Sequence, residues 1–138
     1  LEKVIHDFPD MDITFHRAFD QLRHQGDGLE VLCQYSGHVK RILTSAGKET
    51  AFAGIEQLQQ LAILSDVWHG PKILAGAGMT ADNFEEMIKV LPDTEFHFGS
   101  GVRIDGSFAQ TFDVDKVQRI LEQWKNKPEK QNEEEYGF

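Results

Sequence analysis

Apolar positions along this chain switch repeatedly between a helical period and a strand period. Leu1, Val4, Ile5 and Phe8 stand at i, i+3, i+4 and i+7, one face of a helix, and Pro9 ends it. Met11 to His16 is short, β-branched and aromatic, which suits a strand. A loop with Gly26 and Gly28 follows. Asp27, with Glu30 three residues on, is the expected cap of a second helix with Leu29, Leu32 and Cys33 on its apolar face and Gly37 as its stop. Val39–Thr44 reads as the second strand, Ser45-Ala46-Gly47 as a turn, and Ile55, Leu58, Leu61, Ala62 and Leu64 as one face of a long helix. Gly70-Pro71 closes that unit. Lys72–Ala75 is the third strand, Thr80 or Asp82 caps the next helix, and Phe84, Met87, Ile88 and Leu91 give its stripe. Glu95–Phe98 is the fourth strand. Asp113 caps a last helix with Val117, Ile120, Leu121 and Trp124 inward.

One helix and then four strand–helix units result. The strands begin about 27 residues apart, the size of a βα unit, and strict alternation predicts a parallel sheet with helices packed outside it. Two α/β architectures fit: an open doubly wound sheet, or part of a (β/α)8 barrel. His16, Arg17, Arg41, Glu95 and His97 lie in or at the ends of strands. Central strands of a doubly wound sheet are buried on both faces and nearly all apolar, whereas a barrel turns polar side chains into its mouth. The polar strand residues favour the barrel. A full barrel needs about 250 residues, so four units make a half-barrel over residues 1–126. Residues 127–138, KPEKQNEEEYGF, are expected to be an acidic, disordered, solvated tail.

Composition narrows the function classes. The 138 residues carry 14 Lys and Arg against 23 Asp and Glu, a net charge of −9, which disfavours a general phosphate-backbone binder of nucleic acid. No apolar run approaches the roughly 18 residues of a membrane span, and the charged start Leu1-Glu2-Lys3 does not read as a signal peptide. One cysteine, Cys33, allows no internal disulfide and no Cys-rich zinc site, so a cytoplasmic, reducing location is expected. The first residue is Leu, and the chain is expected to begin inside a longer parent sequence.

In parallel α/β folds ligands bind beyond the carboxyl ends of the strands. Here those ends are His16–Asp20, Thr44–Gly47, Gly76–Thr80 and Gly99–Arg103, all rich in glycine, hydroxyls or charge. Backbone N–H groups in such turns hold anions. The anion-binding candidates are Thr44, Ser45, Gly76, Gly78, Ser100 and Gly101, with Arg103 as counter-charge; the plain alternative is that glycines serve tight reversals. The acid–base candidates are His16, Arg17, Asp20, Glu95 and His97. Arg17 either clamps a carboxylate or phosphate or makes a structural ion pair with Asp20 or Glu95. Glu95 and His97, two apart on one strand, face the same side and serve either acid–base chemistry or a hydrogen-bonded polar layer. Imidazole also suits copper and zinc, but no third fixed metal ligand is visible. Cys33, on an apolar stripe, reads as a buried inert thiol.

Three segments carry a family likeness. Thr14–Asp20 reads TFHRAFD, Arg41–Ser45 reads RILTS, and Glu95–His97 reads EFH with Ser100 shortly after. In this order they resemble the C-terminal half of the CutC copper homeostasis proteins, up to about Lys125. The resemblance implies strands five to eight of a TIM (β/α)8 barrel, and a cytosolic role in copper handling with Cu(I) bound by the complete protein. It also implies that the proposed cysteine ligands lie in the half of the family not covered here, so no cofactor is evident in this half. The chain departs from the family pattern at Ala46, where Gly follows Thr-Ser, and at Ala77, which interrupts three glycines; Ala is tolerated there at negative φ. The rival readings are an enzyme acting on a small phosphorylated or carboxylated metabolite, and an inactive piece that associates with another copy or with a missing N-terminal half. Whether a reaction is catalysed stays open. Nucleic acid and membrane are not expected partners.

Overall fold

The computed structural model describes residues 1–128. Of the expected acidic tail only Lys127 and Pro128 are among them, and the rest of that expectation lies outside the described residues. In chain order the elements are α1 (Glu2–Asp7), β1 (Ile13–Phe15), α2 (Gln25–Cys33), β2 (Val39–Thr44), α3 (Ile55–Val67), β3 (Lys72–Ala75), α4 (Ala81–Val90), β4 (Glu95–Phe96) and α5 (Val114–Lys125), with short 3-10 turns at Arg17–Gln21, Ser100–Val102 and Ile104–Gly106.

The four strands are all parallel and pair in chain order, β1-β2-β3-β4. Register runs Phe15 to Ile42, Ile42 to Ile73 and Ala75 to Phe96, with one irregularity between Ile13 and Thr14. A doubly wound sheet reverses its strand order at a switch point; this sheet steps one way throughout. The fold is therefore α/β with a parallel sheet, a partial (β/α) barrel unit. Among the described residues no helix is long and apolar enough to cross a membrane.

Side chains alternate across each strand, and the two faces differ. Ile42, Ile73 and Ala75 point to the helices and join Leu29 and Leu32 of α2, Leu58 and Leu61 of α3, and Phe84, Met87 and Ile88 of α4 in one core. Phe84 is its aromatic centre, edge-on to Phe96 and Phe98 with ring centroids 5.1 and 5.0 Å away, and stacked on Trp124 of α5. On the other face lie Arg41 and Leu43 of β2 and, since Phe96 and Phe98 face the core, Glu95 and His97.

Helix ends follow the capping chemistry in two of three cases. Thr80 caps α4: its hydroxyl accepts from Asn83 N and its own N–H donates to Asn83 Oδ1. Asp113 caps α5, accepting from Asp115 N and Lys116 N. Asp27 does not cap α2. That helix starts three residues earlier, after His24, and Asp27 sits in its first turn, where a carboxylate still favours the helix dipole. Gly28, in the same turn, lies close against Leu22 and Phe19. Nor is Gly37 the stop: α2 ends at Cys33, and turns carry the chain to β2. Leu121, expected inward, is 60% exposed, because α5 packs along a narrow stripe through Ile120 and Trp124 and Leu121 lies about 100° round the helix from Ile120. Cys33 is half-buried rather than sealed, packed at the edge of the core.

Candidate functional site

The residues after β1 curl into a 3-10 turn, which swings Asp20 back under the end of β2. The Asp20 side chain is only 4% exposed. Its Oδ2 accepts from Arg17 Nε at 2.8 Å and from Ser45 N at 3.3 Å; its Oδ1 accepts from the Thr44 hydroxyl and from Gly47 N at 3.2 Å. Ser45 Oγ accepts from Arg17 Nη2 at 2.9 Å and gives its proton to the Lys48 carbonyl at 2.6 Å, the nearer of its two acceptors. Thr44 Oγ1 in turn accepts from Ala46 N at 2.9 Å. One carboxylate thus ties the first strand-end loop to the second. Burial is the largest influence on this carboxyl and pushes its pKa up, but the hydrogen bonds from Thr44, Arg17, Ser45 and Gly47 together outweigh it and hold the pKa below the ordinary aspartate value.

In front of this network, at the carboxyl ends of the strands, a cleft of about 330 Å³ opens. Polar groups on its wall come from His16, Arg17, Thr80, His97 and Ser100; Leu43, Met79 and Phe108 supply apolar surface, and Ala77, Gly78, Gly99 and Gly101 bring backbone close. Among the described residues none that lines it is acidic. A larger hollow of about 530 Å³ lies at the amino ends of β3 and β4, lined by Ser65, His69, Pro71 and Trp124 among others. Parallel α/β folds place ligands at the opposite ends, so the smaller cleft is the candidate site.

The sequence candidates divide. His16, Arg17, Gly78, His97, Ser100 and Gly101 line the cleft together. Asp20, Thr44 and Ser45 sit behind it as support for Arg17. Glu95 shares a face with His97 but lies deeper, and its carboxylate takes Arg41 Nε at 2.5 Å across β3, so Glu95 is not the partner of Arg17. Gly76 does not line the cleft; it is packed beneath Leu43 and His97, where a side chain would collide. Arg103 stands apart from this group, though its guanidinium lies 5.8 Å from the ring centroid of Phe108 on the cleft wall. Its Nη1 donates to the Gln110 carbonyl and its guanidinium lies 4.7 Å from the Phe112 ring centroid, so it lines no part of the cleft. The antiparallel bridge between Arg103 and Phe112 holds it there. Leu43, Met79 and Phe108 line the cleft without having been singled out by the sequence; Phe108 lies in an irregular loop with no periodicity to mark it.

The anion expectation changes in two ways. Ala46 and Ala77 sit at φ of 57° and 93°, not at negative φ, so both alanines occupy the region that favours glycine. The amino end of α4 is also less open to an anion than the glycines before it suggest. Its capping box already satisfies Asn83 N, and Asp82, in the first turn, pairs with Arg119 at 2.8 Å. Gly101 meets a separate need: a Cβ there would overlap the Met79 carbonyl, so the fourth loop lies directly on the third.

Among the described residues no three of His, Cys, Asp and Glu gather to hold a metal ion. Cys33 is not on the cleft wall, and burial, then Glu30, push its thiol pKa up, the opposite of an activated thiolate.

The CutC family model matches residues 1–102. Three curated relatives are named family protein CutC. That of Glaesserella parasuis serovar 5 is 40% identical over 90 residues, covering 65% of this chain and 35% of the relative. That of Pasteurella multocida is 36% identical over 104 residues, covering 75% and 41%. That of Photorhabdus laumondii is 41% identical over 81 residues, covering 59% and 31%. The matched part thus spans between about a third and two fifths of these relatives.

Proposed function

The chain belongs to the CutC family, and from that premise we propose that it forms the C-terminal half of a (β/α)8 barrel serving copper homeostasis in the cytosol, with Cu(I) handled by the complete protein. The observation that carries this reading is the family match over residues 1–102, together with four parallel strands stepping one way. Among the described residues no three of His, Cys, Asp and Glu gather; His16 and His97 share the cleft with one thioether, Met79, and no thiolate lines it. Copper is then cargo bound with ligands from the other half. Titration against a competing Cu(I) chelator tests this. This chain alone leaves the chelator loaded, and a protein extended to the length of its relatives takes up stoichiometric copper. Failure of the extended protein to take copper would remove the proposal.

The cleft favours a second reading, an enzyme acting on a small phosphorylated or carboxylated metabolite. Two imidazoles and one guanidinium line a space of about 330 Å³ free of lining carboxylates among the described residues, a volume at the small end of ligand sites. Imidazoles are the commonest general acids and bases, and Arg17 supplies fixed positive charge. A thermal-shift screen over small organic phosphates and carboxylates tests it; a panel in which no anion stabilises the protein would leave the cleft without a ligand.

A further inference from the structure

Arg17 is held in an unusual way for a residue on the wall of a cleft. Its Nε is taken by Asp20 and one Nη2 proton by Ser45, so one edge of the guanidinium is already engaged behind the cleft. Nη1 has no partner among the described residues, and the side chain is 39% exposed. The Nη1–Nη2 edge therefore keeps two parallel N–H groups, the fork that binds an oxyanion bidentately. The clamp is also pre-organised. Asp20 is itself fixed by the Thr44 hydroxyl and two backbone N–H groups, so the guanidinium loses little rotamer freedom when a ligand arrives.

We propose that Arg17 is the anion clamp of the cleft, gripping the phosphate or carboxylate head of a small organic ligand whose apolar body lies against Leu43, Met79 and Phe108. This rests on the second reading of the cleft and adds to it the contact residue, the ligand shape and the docking mode. Three observations converge on it: the free fork, the absence among the described residues of lining carboxylates that would repel an anion, and the apolar side chains on the same cleft wall. The anion goes to the first strand-end loop rather than to the amino end of α4, which its own capping box and Asp82 occupy.

Phenyl phosphate, benzoate and inorganic phosphate are the probes, measured by calorimetry and by backbone amide shifts. Phenyl phosphate and benzoate differ in head group, and whichever binds more tightly identifies it; inorganic phosphate, lacking the apolar body, binds more weakly than phenyl phosphate. Arg17→Lys keeps the charge but loses the fork, and weakens the tighter aryl probe about 10-fold or more. Arg119→Gln, on the outer surface, leaves affinity unchanged. Since Arg17→Lys also disturbs Asp20 and can impair folding, the Arg17 Nε–H resonance of the unmodified protein is followed during titration and shifts on saturation. Unaltered affinity in Arg17→Lys, or a stationary Arg17 resonance while Gly78 and Gly101 amides move, overturns the clamp and leaves the cleft reading standing. No binding of any probe overturns both.

Discussion

Replacing Asp20 with Asn is the most searching perturbation of this molecule, because a single carboxylate joins two strand-end loops. Oδ2 serves Arg17 Nε and Ser45 N, and Oδ1 serves the Thr44 hydroxyl and Gly47 N. An amide has one acceptor oxygen. Turned toward Arg17 and Ser45 N, its NH2 group confronts two N–H donors and two hydrogen bonds are lost; turned the other way it confronts the Gly47 N–H, since the Thr44 hydroxyl can rotate to accept, and in both cases Arg17 loses its charged partner. If Arg17 and Ser45 N lose their acceptor, the loss is one charge-assisted bond and one inward backbone N–H, about 3 kcal/mol from typical values for each. The exposure of Arg17 lets water recover part of its share, which keeps the figure from rising further. Against a typical total of about 5–15 kcal/mol, this is a large fraction of the stability.

Urea unfolding followed by circular dichroism reads it directly. With a slope of about 1–3 kcal/mol per molar, the midpoint at pH 7 falls by about 1–3 M. The pH dependence gives an independent check. The Asp20 carboxyl binds its proton less tightly folded than unfolded, so its stabilising effect is fully present above the unfolded aspartate pKa and is lost as pH falls through the lower folded value. The gap between wild type and Asp20→Asn therefore narrows only below about pH 4. A midpoint shift under about 0.3 M at pH 7, a small fraction of that expected from the slope, would refute the claim that this network holds the loops. So would a gap that widens on acidification.

Other substitutions test other parts of the site. Ala77→Gly relieves a residue at φ 93° and raises stability by about 1 kcal/mol, seen as a melting temperature higher by roughly 2–5 °C; an unchanged or lower value would mean the backbone relaxes without it. Gly101→Ala puts a methyl group into the Met79 carbonyl and destabilises by about 1–3 kcal/mol, with amide shifts in the 76–80 loop; a neutral result would show that the fourth loop is free to move. Glu95→Gln removes a pair whose two side chains are each 41% exposed, so the loss is about 1 kcal/mol or less and shrinks in high salt, checked by urea midpoints at two ionic strengths. Among the described residues the outer strands β1 and β4 each pair on one side only, which leaves backbone groups open to another chain; sedimentation velocity shows association rising with concentration, and a monomer at every concentration would count against it.

How far the sequence reveals this molecule depends on whether a feature is periodic. Phe84, Met87, Ile88 and Leu91 repeat at helical spacing and are all buried; Val39–Thr44 and Lys72–Ala75 are strands with the bounds their composition suggests. Burial decides such positions one at a time, so a local pattern records it. Leu121 shows where that reasoning stops, because its burial depends on how wide a contact α5 makes with α4, which no local pattern contains.

The cleft illustrates a second limit. His16 and His97 stand 81 positions apart, and their meeting follows only once both are placed at carboxyl ends of strands in one parallel sheet. Strand ends can be read from sequence, and with them most of the wall. What cannot be read is which charged group is bound by which. Arg17, Arg41 and Arg103 look alike as cations near strand ends, yet one is braced by Asp20, one is neutralised by Glu95 and one is drawn away to Phe112. Those pairings depend on loop backbone, including left-handed Ala46 and Ala77, which residue identity alone assigns to negative φ. The chemistry of this site is therefore set less by which charged residues the chain carries than by which of them its loops leave unpaired, and of these three arginines only Arg17 both lines the cleft and keeps an open edge.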